Sequence, residues 1–577
     1  MAKTDQKGIL SFQQDAGFYM RAARKAMDGG ELIRALGMLR DAEKRWPGER
    51  VPFQVMQAEV LNRMQRFDQS LRLLLTTAPL ELMPEEGVFG MASNYMAMEE
   101  FSAAHTCFEA YLRRWPEGDY SQECREYLAL LADGSEMHWQ LGLEDGEDPE
   151  LIAHLHYAKA MHFSGLDQQS LEHLLGLESR YPSSLWLQME IALDQFCVGD
   201  FKGAEQRVFN ILKKDLGYVR AKCLLALIRL NEHKNREARE MMDSIPIPQC
   251  ADTEVLGNMC AMLLEVKDYK RAEECAGMLT ELLPYDPLSL HEEAVAKYML
   301  GKEEEALARY DKILSIDPED TVAAYYRTLV EHSNGKTAGR SHISTNYDVP
   351  YGEAFKRFER LKGYLEKGPQ ATKQAWEEEK PFHDLLCWAV YSPLFQAKKA
   401  VFSVLGILGD PEAERVCRDF LLRQDQSDAD KQLAIGALKN LGSEGPYSLY
   451  YEGMWRYGAV QTLSLPADLP GSYRDLFEEL EGLSQRYALP ARTEEVARRL
   501  FYHYVQALEG DYPRMNREQR MAMEAALTAM SLHAMEQKYD PEQICGLFGV
   551  TMRRMQNALN RLFAAIDTGE EEKEPEK

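Results

Sequence analysis

The chain has 577 residues, too many for one ordinary core, and its 45% hydrophobic and 28% charged content lies near the soluble globular average, which excludes wholesale disorder. Glycine (38) and proline (24) are too few for a low-complexity chain. With 67 Lys and Arg against 93 Asp and Glu the formal charge is −26, which excludes broad, sequence-independent binding to nucleic acid or anionic lipid but not a local basic patch.

The first residues, Met1-Ala2-Lys3-Thr4-Asp5-Gln6-Lys7, are followed by no apolar segment of signal-peptide type, and no apolar run approaches the roughly 18 residues of a membrane span. The ten cysteines include no CxxC pair and fall mostly inside apolar helical patterns, as small buried hydrophobes of a reducing compartment do. A cytoplasmic, non-membrane protein is expected.

From residue 16 onward the dominant signal is a repeat. A small residue recurs at Ala35, Ser70, Ala104, Ser170, Ala204, Ala238, Ala272 and Ala306, mostly 34 apart, with a gap of nearly two periods between Ala104 and Ser170. Twelve residues before each lies a second: Ala23, Ala58, Ala92, Ala158, Ala192, Ala226, Cys260 and Ala294. Two small positions per unit at this spacing let two helices approach closely and let neighbouring pairs stack. Turn signals such as Gly199-Asp200 and Lys267-Asp268 separate the two positions, with Gly165 and Gly301 equivalent. Pro47, Pro116, Pro182, Pro284 and Pro318 end second helices.

This pattern resembles the tetratricopeptide repeat family over residues 16–335, although most units lack that family's early tryptophan, and residues 117–150, with Gly134-Ser135 and Trp139, form a degenerate unit. The resemblance implies a right-handed α-solenoid whose first helices line a concave groove. On the family frame the groove-facing positions include Phe89, Met96, Leu155, Lys159, Trp186, Met189, Leu193, Phe196, Leu227 and Leu230. That stripe is mostly apolar, and only Arg24, Asn62 and Lys159 are available to clamp a terminal carboxylate. The expected ligand is therefore an apolar or helical peptide. Equally, the stripe could pack against another segment of the same chain.

Residues 336–380 read as a polar linker carrying a charged helix. The tripeptide Gly335-Lys336-Thr337 is not a phosphate loop, because Val330 stands where that motif needs glycine. Residues 381–460 read as helical pairs, with helices at Phe382 to Tyr391, Leu394 to Leu408, Pro411 to Leu422 and Asp428 to Leu441, and resemble a short HEAT-like stack.

After Pro466 to Pro470, residues 466–566 read as a compact domain of five helices, roughly 471–488, 491–509, 516–536, 540–548 and 551–566. Five helices around an alanine-rich third one resemble the cyclin box, including the version in general transcription factor IIB. The last two helices, joined at Gly549, have the pattern of a helix-turn-helix. The final helix presents Arg553, Arg554, Gln556, Asn557, Asn560 and Arg561 with no acidic residue between Thr551 and Ile566, a side-chain set able to contact DNA; a solvated polar face is the alternative. Residues 567–577 are expected to be a disordered acidic tail.

Enzyme chemistry finds no support. His154, His156 and His162 do not share one helix face, and after His291-Glu292 the position a zinc-binding HExxH needs is Val295. No catalytic residue, metal ligand or cofactor is assigned. The expectation is an all-α, non-enzymatic scaffold or adaptor that binds a protein or peptide partner in the repeat groove. The alternative is a transcription regulator whose C-terminal domain binds DNA.

Overall fold

The computed structural model describes residues 15–567 except 79, 81, 133–148, 164–166, 248–251, 333–342, 393–394, 444–446, 452–453, 459–468, 481–482, 488, 490–491, 509, 535–536 and 538. The chain forms two compact units, Met1–Val460 and Gln461–Lys577.

The first unit is built from helix pairs. These are α1 (Ala16–Asp28) with α2 (Leu32–Arg45), α3 (Arg50–Arg63) with α4 (Phe67–Thr77), and α5 (Glu85–Ala97) with α6 (Phe101–Arg114). A helix α7 (Ser121–Ala132) packs on α6, so part of the degenerate unit is regular; Gly134, Ser135 and Trp139 lie outside the described residues. The pairing resumes with α8 (Pro149–Phe163) and α9 (Asp167–Leu177), α10 (Leu185–Cys197) and α11 (Phe201–Lys214), α12 (Val219–Asn231) and α13 (Asn235–Asp243), α14 (Thr253–Glu265) and α15 (Tyr269–Leu282), and α16 (Pro287–Met299) and α17 (Glu303–Ile316), followed by α18 (Thr321–Glu331). Val330 is buried within α18, so no strand precedes Gly335.

All sixteen small repeat positions are at most 2% exposed. In the units carrying serine, the two small residues touch directly: Ser70 Oγ donates to the Ala58 carbonyl at 2.7 Å, and Ser170 Oγ to that of Ala158 at 3.1 Å. Seven residues after seven of the eight first small residues the backbone turns left-handed, at Gly30, Gln65, Glu99, Gly199, His233, Lys267 and Gly301; the eighth position, 165, lies outside the described residues. The next amide then reaches back five residues, as Asp200 N does to Gln195 O (2.8 Å) and Lys234 N to Arg229 O (2.8 Å), which satisfies a carbonyl that the helix end leaves open. A three-residue turn thereby places each second helix against its first.

Residues 343–349, expected as linker, are instead packed on the repeat. Ile343 and Val349 are buried, and polar bonds tie the segment to three successive first helices: Thr345 Oγ1 to Glu265, Ser344 O to His291, and Tyr326 OH to Asp348 O. Tyr347 OH donates to the helix-capping Asp320. Ile343, Tyr347 and Val349 bind this stretch down, a pattern too sparse to register as an element.

Beyond it come α19 (Tyr351–Leu365), α20 (Pro369–Glu378), α21 (Lys380–Tyr391), α22 (Phe395–Leu408), α23 (Pro411–Leu422) and α24 (Asp428–Asn440). The helical-pair expectation for 381–460 fails at its end: β1 (Tyr447–Tyr451) and β2 (Met454–Gly458) pair antiparallel as a hairpin, Tyr451 opposite Met454. The cause is composition, since runs rich in Tyr and Trp suit a pleated surface and pack poorly as a helix stripe. The unit also returns on itself. Arg40 and Arg66 donate to the carbonyls of Ile316 and Tyr285, and Arg72 pairs with Asp419. Trp455 meets Tyr95 edge-on at 5.4 Å.

The second unit contains α25 (Gly471–Glu479), α26 (Leu483–Tyr487), α27 (Arg492–Ala507), α28 (Arg517–Ala534), α29 (Pro541–Phe548) and α30 (Met552–Asp567). The first expected helix, 471–488, is thus two. The alanine-rich α28 packs against α25, α27, α29 and α30, with Ala522, Ala525, Ala526 and Ala529 buried. Asp540 caps α29, and Gly549 (φ 62°) turns the chain into α30. Residues 568–577 lie outside the described residues.

Candidate protein-binding face

The first helices α8, α10 and α12 carry most of the stripe expected to face a ligand. The structure divides it by depth. Met96, Leu155 and Met189 are buried among neighbouring helices, so as surface they are a correction to the sequence expectation: on α8 and α10 the position three before the small residue is already core, as is the one four after it on α5, whereas Phe89, three before Ala92, is not. Phe89, Trp186, Leu193, Phe196, Leu227 and Leu230 are half-buried and Lys159 is exposed. Phe89 is stacked on Tyr120 at 4.3 Å, and Phe196 meets Phe201 edge-on.

A polar row crosses the same helices. Trp186, Arg220 and Glu254 occupy one position in successive 34-residue units, a periodicity the sequence carried but an apolar search passes over. Trp186 Nε1 donates to Glu190 at 3.1 Å, and Arg220 bridges Glu190 (2.7 Å) and Glu254 (3.0 Å). Burial opposes the charge of Arg220, yet the two carboxylates hold its guanidinium above its ordinary value. Arg220 is thereby fixed as a half-buried planar cation beside the Trp186 ring's own acceptor.

The residues a carboxylate clamp would require are largely engaged. Arg24 binds both oxygens of Glu59, at 2.6 and 2.7 Å, and Asn62 donates to Asn94. On α14, α16 and α18 the chain covers itself with residues 343–349. His291 is fully buried there: its Nε2 faces Ser344 O at 2.8 Å and its Nδ1 faces Tyr310 OH at 3.1 Å. Burial lowers its pKa to about 4, so the ring is neutral. On α5 the hairpin's Trp455 packs beside Tyr95. On α14, α16 and α18, and beside Tyr95 of α5, the chain thus packs on its own first helices.

In the second unit Arg553, Arg554, Gln556, Asn557, Asn560 and Arg561 are all exposed on α30, while Met555 and Leu562 face the core. Arg554 pairs with Glu518 of α28 at 2.8 Å and Gln556 donates to Asn560 at 3.2 Å.

No protein-family model matches the chain. Among curated proteins it is similar to the TPR repeat-containing protein YvcD of Bacillus subtilis (strain 168), 25% identical over 260 residues, which are 44% of this chain and 50% of that protein. The match spans about half the length of that relative. Among solved structures, a tetratricopeptide repeat protein from Parabacteroides merdae is 12% identical with a TM-score of 0.19, covering 55% of this chain and 100% of its own. The TPR2AB domain of yeast Sti1, solved in complex with pHSP90, is 13% identical with a TM-score of 0.19, covering 46% of this chain and 98% of its own.

Proposed function

We propose that this tetratricopeptide repeat chain is a non-enzymatic scaffold or adaptor that holds a polypeptide partner against α8, α10 and α12. The observation that carries this reading is the row of half-buried apolar side chains, Trp186, Leu193, Phe196, Leu227 and Leu230, beside the fixed Arg220. A helix or extended peptide laid across them would bury their open halves, at about 25 cal/mol per Å² of apolar surface, while the exposed Lys159 favours an acidic group at its edge. No reaction is part of this reading. We place it in the cytoplasm, because the described cysteines form no disulfide; among the described residues no helix is long and apolar enough to cross a membrane.

The test is site-specific. A photo-crosslinking residue at Leu193 should trap a polypeptide in the native cell, and one at the exposed Lys213 of α11 should not. Leu193→Glu with Leu227→Glu should abolish capture while helicity is kept. Equal trapping from both positions sinks the groove assignment.

A second reading keeps one observation in its favour, the exposed Arg, Asn and Gln set that follows the Gly549 turn. A regulator using α30 on DNA should show a mobility shift with the full chain that weakens steeply with salt and is lost in Arg553→Ala with Arg554→Ala. No shift at low salt removes this reading.

A further inference from the structure

A cluster of ligand-type side chains lies where three repeat helices meet, apart from the face described above. His162 closes α8, Asp167 opens α9, and Cys197 closes α10. The His162 Nδ1, one Asp167 carboxylate oxygen and the Cys197 Sγ all lie within 4.8 Å of one another. His162 and Asp167 are already 2.6 Å apart.

Asp194, one turn before Cys197 on α10, is the second observation. Its side chain is 5% exposed and hydrogen-bonds with Ser170, its Oδ1 lies 3.8 Å from His162 Nδ1, and its Oδ2 is buried with no hydrogen-bond partner among the described residues. A buried carboxylate oxygen without a partner costs free energy unless something outside the fold completes it. Among the described residues, His162 is the one basic side chain within ion-pair distance of Asp167 or Asp194. Two carboxylates and a thiol gathered around one imidazole leave room for a doubly charged ion.

We propose that His162, Asp167 and Cys197 form a site for a divalent transition metal, with zinc the fitting ion, and that the buried Asp194 supports it from beside His162. One nitrogen, one oxygen and one sulfur are a borderline-soft donor set of the kind zinc takes, at about 2.0–2.3 Å from each donor, with water completing the tetrahedron. Donor atoms within 4.8 Å of one another reach such a centre through side-chain rotation, with no helix displaced. The exposed Cys197 sulfur gives the ion its path in from solvent. Binding deprotonates the thiol, the proton passing to water, and the metal then ties one helix pair to the next.

The full chain, stripped with chelator under reducing conditions, is titrated with zinc against a competing indicator and separately with cobalt(II). The parent should take up one more zinc per chain than Cys197→Ala or His162→Ala, with affinity at least tenfold weaker in Asp194→Asn. Cobalt should give a thiolate charge-transfer band that Cys197→Ala abolishes. Zinc should raise the unfolding midpoint of the parent and not of Cys197→Ala, whose exposed position keeps its fold intact. Zinc uptake unchanged in the Cys197→Ala and His162→Ala variants, whether absent or present, overturns the assignment and leaves a plain His162–Asp167 ion pair.

Discussion

Ser70 donates its hydroxyl to the Ala58 carbonyl at 2.7 Å and accepts from the Asn94 amide at 2.8 Å, while Asn94 accepts from Asn62 at 2.8 Å. One small residue thus joins the two helices of its own unit and reaches into the next. Alanine occupies the same position in six other units, so Ser70→Ala fits the space, but it strips the fully buried Asn94 amide of its acceptor. We expect a loss of about 1–3 kcal/mol, read as a lower urea midpoint with unchanged slope. No change in midpoint would contradict this network.

What the sequence made legible follows from range. The helix pairs recur because close approach demands a small residue every 34 positions, a local rule visible as Ala192, Ala226, Cys260 and Ala294. The contact of Arg72 with Asp419 joins residues 347 apart, obeys no period and leaves no trace in either neighbourhood. The hairpin did leave one, since Tyr447–Tyr451 and Met454–Gly458 are aromatic-rich runs split by two residues including a glycine, but the helical pattern before it was carried too far. Of the candidate face, the helices and the apolar character were readable. Depth was not, because Leu155 and Leu193 are the same residue type and only packing separates core from surface. In the sequence His162 stands beside histidines of its own helix, whereas its companions arrive from α9 and α10.

The left-handed turns carry strain where they lack glycine. His233 stands at φ 60° in the position that Gly199 (φ 87°) and Gly301 (φ 88°) fill elsewhere. His233→Gly should raise stability by a few tenths to about 1 kcal/mol, the relief of backbone strain exceeding the entropy glycine adds to the unfolded chain. Gly199→Ala should lower it by about 1 kcal/mol. Chemical denaturation of the two variants side by side reads both signs, and a destabilised His233→Gly would show that the turn is unstrained.

The closure of the first unit rests on few polar contacts, of which Arg72 with Asp419 is the most enclosed, their side chains being 11% and 25% exposed. Burial opposes the Arg72 charge, but Asp419 and Asp68 hold its guanidinium above the ordinary value. Tyr391 donates to the other oxygen of Asp419 at 2.8 Å. Arg72→Ala leaves Asp419 enclosed with only that donor and should cost about 2 kcal/mol. Arg72→Ala and Asp419→Ala together should cost less than the sum of the single losses. Additive losses would mean that the pair contributes nothing.

His291 gives the packing of residues 343–349 a pH dependence. Its ring is neutral in the fold: Nε2–H donates to Ser344 O and Nδ1 accepts from Tyr310 OH, the one tautomer that serves both neighbours. Burial lowers the folded pKa to about 4, against 6.5 for an unperturbed imidazole. The unfolded chain therefore binds the extra proton first as pH falls, so this contribution to stability is full above pH 6.5 and is lost progressively toward pH 4. The shift corresponds to at most about 3 kcal/mol across that window. His291→Gln, which keeps a donor for Ser344 without a titrating group, should flatten the dependence between pH 6.5 and 4. Hydrogen exchange localises the effect: amides of 343–349 should lose protection at pH 4.5 in the parent and hold it in the variant. Equal loss in both would place the acid-sensitive group elsewhere in the first unit.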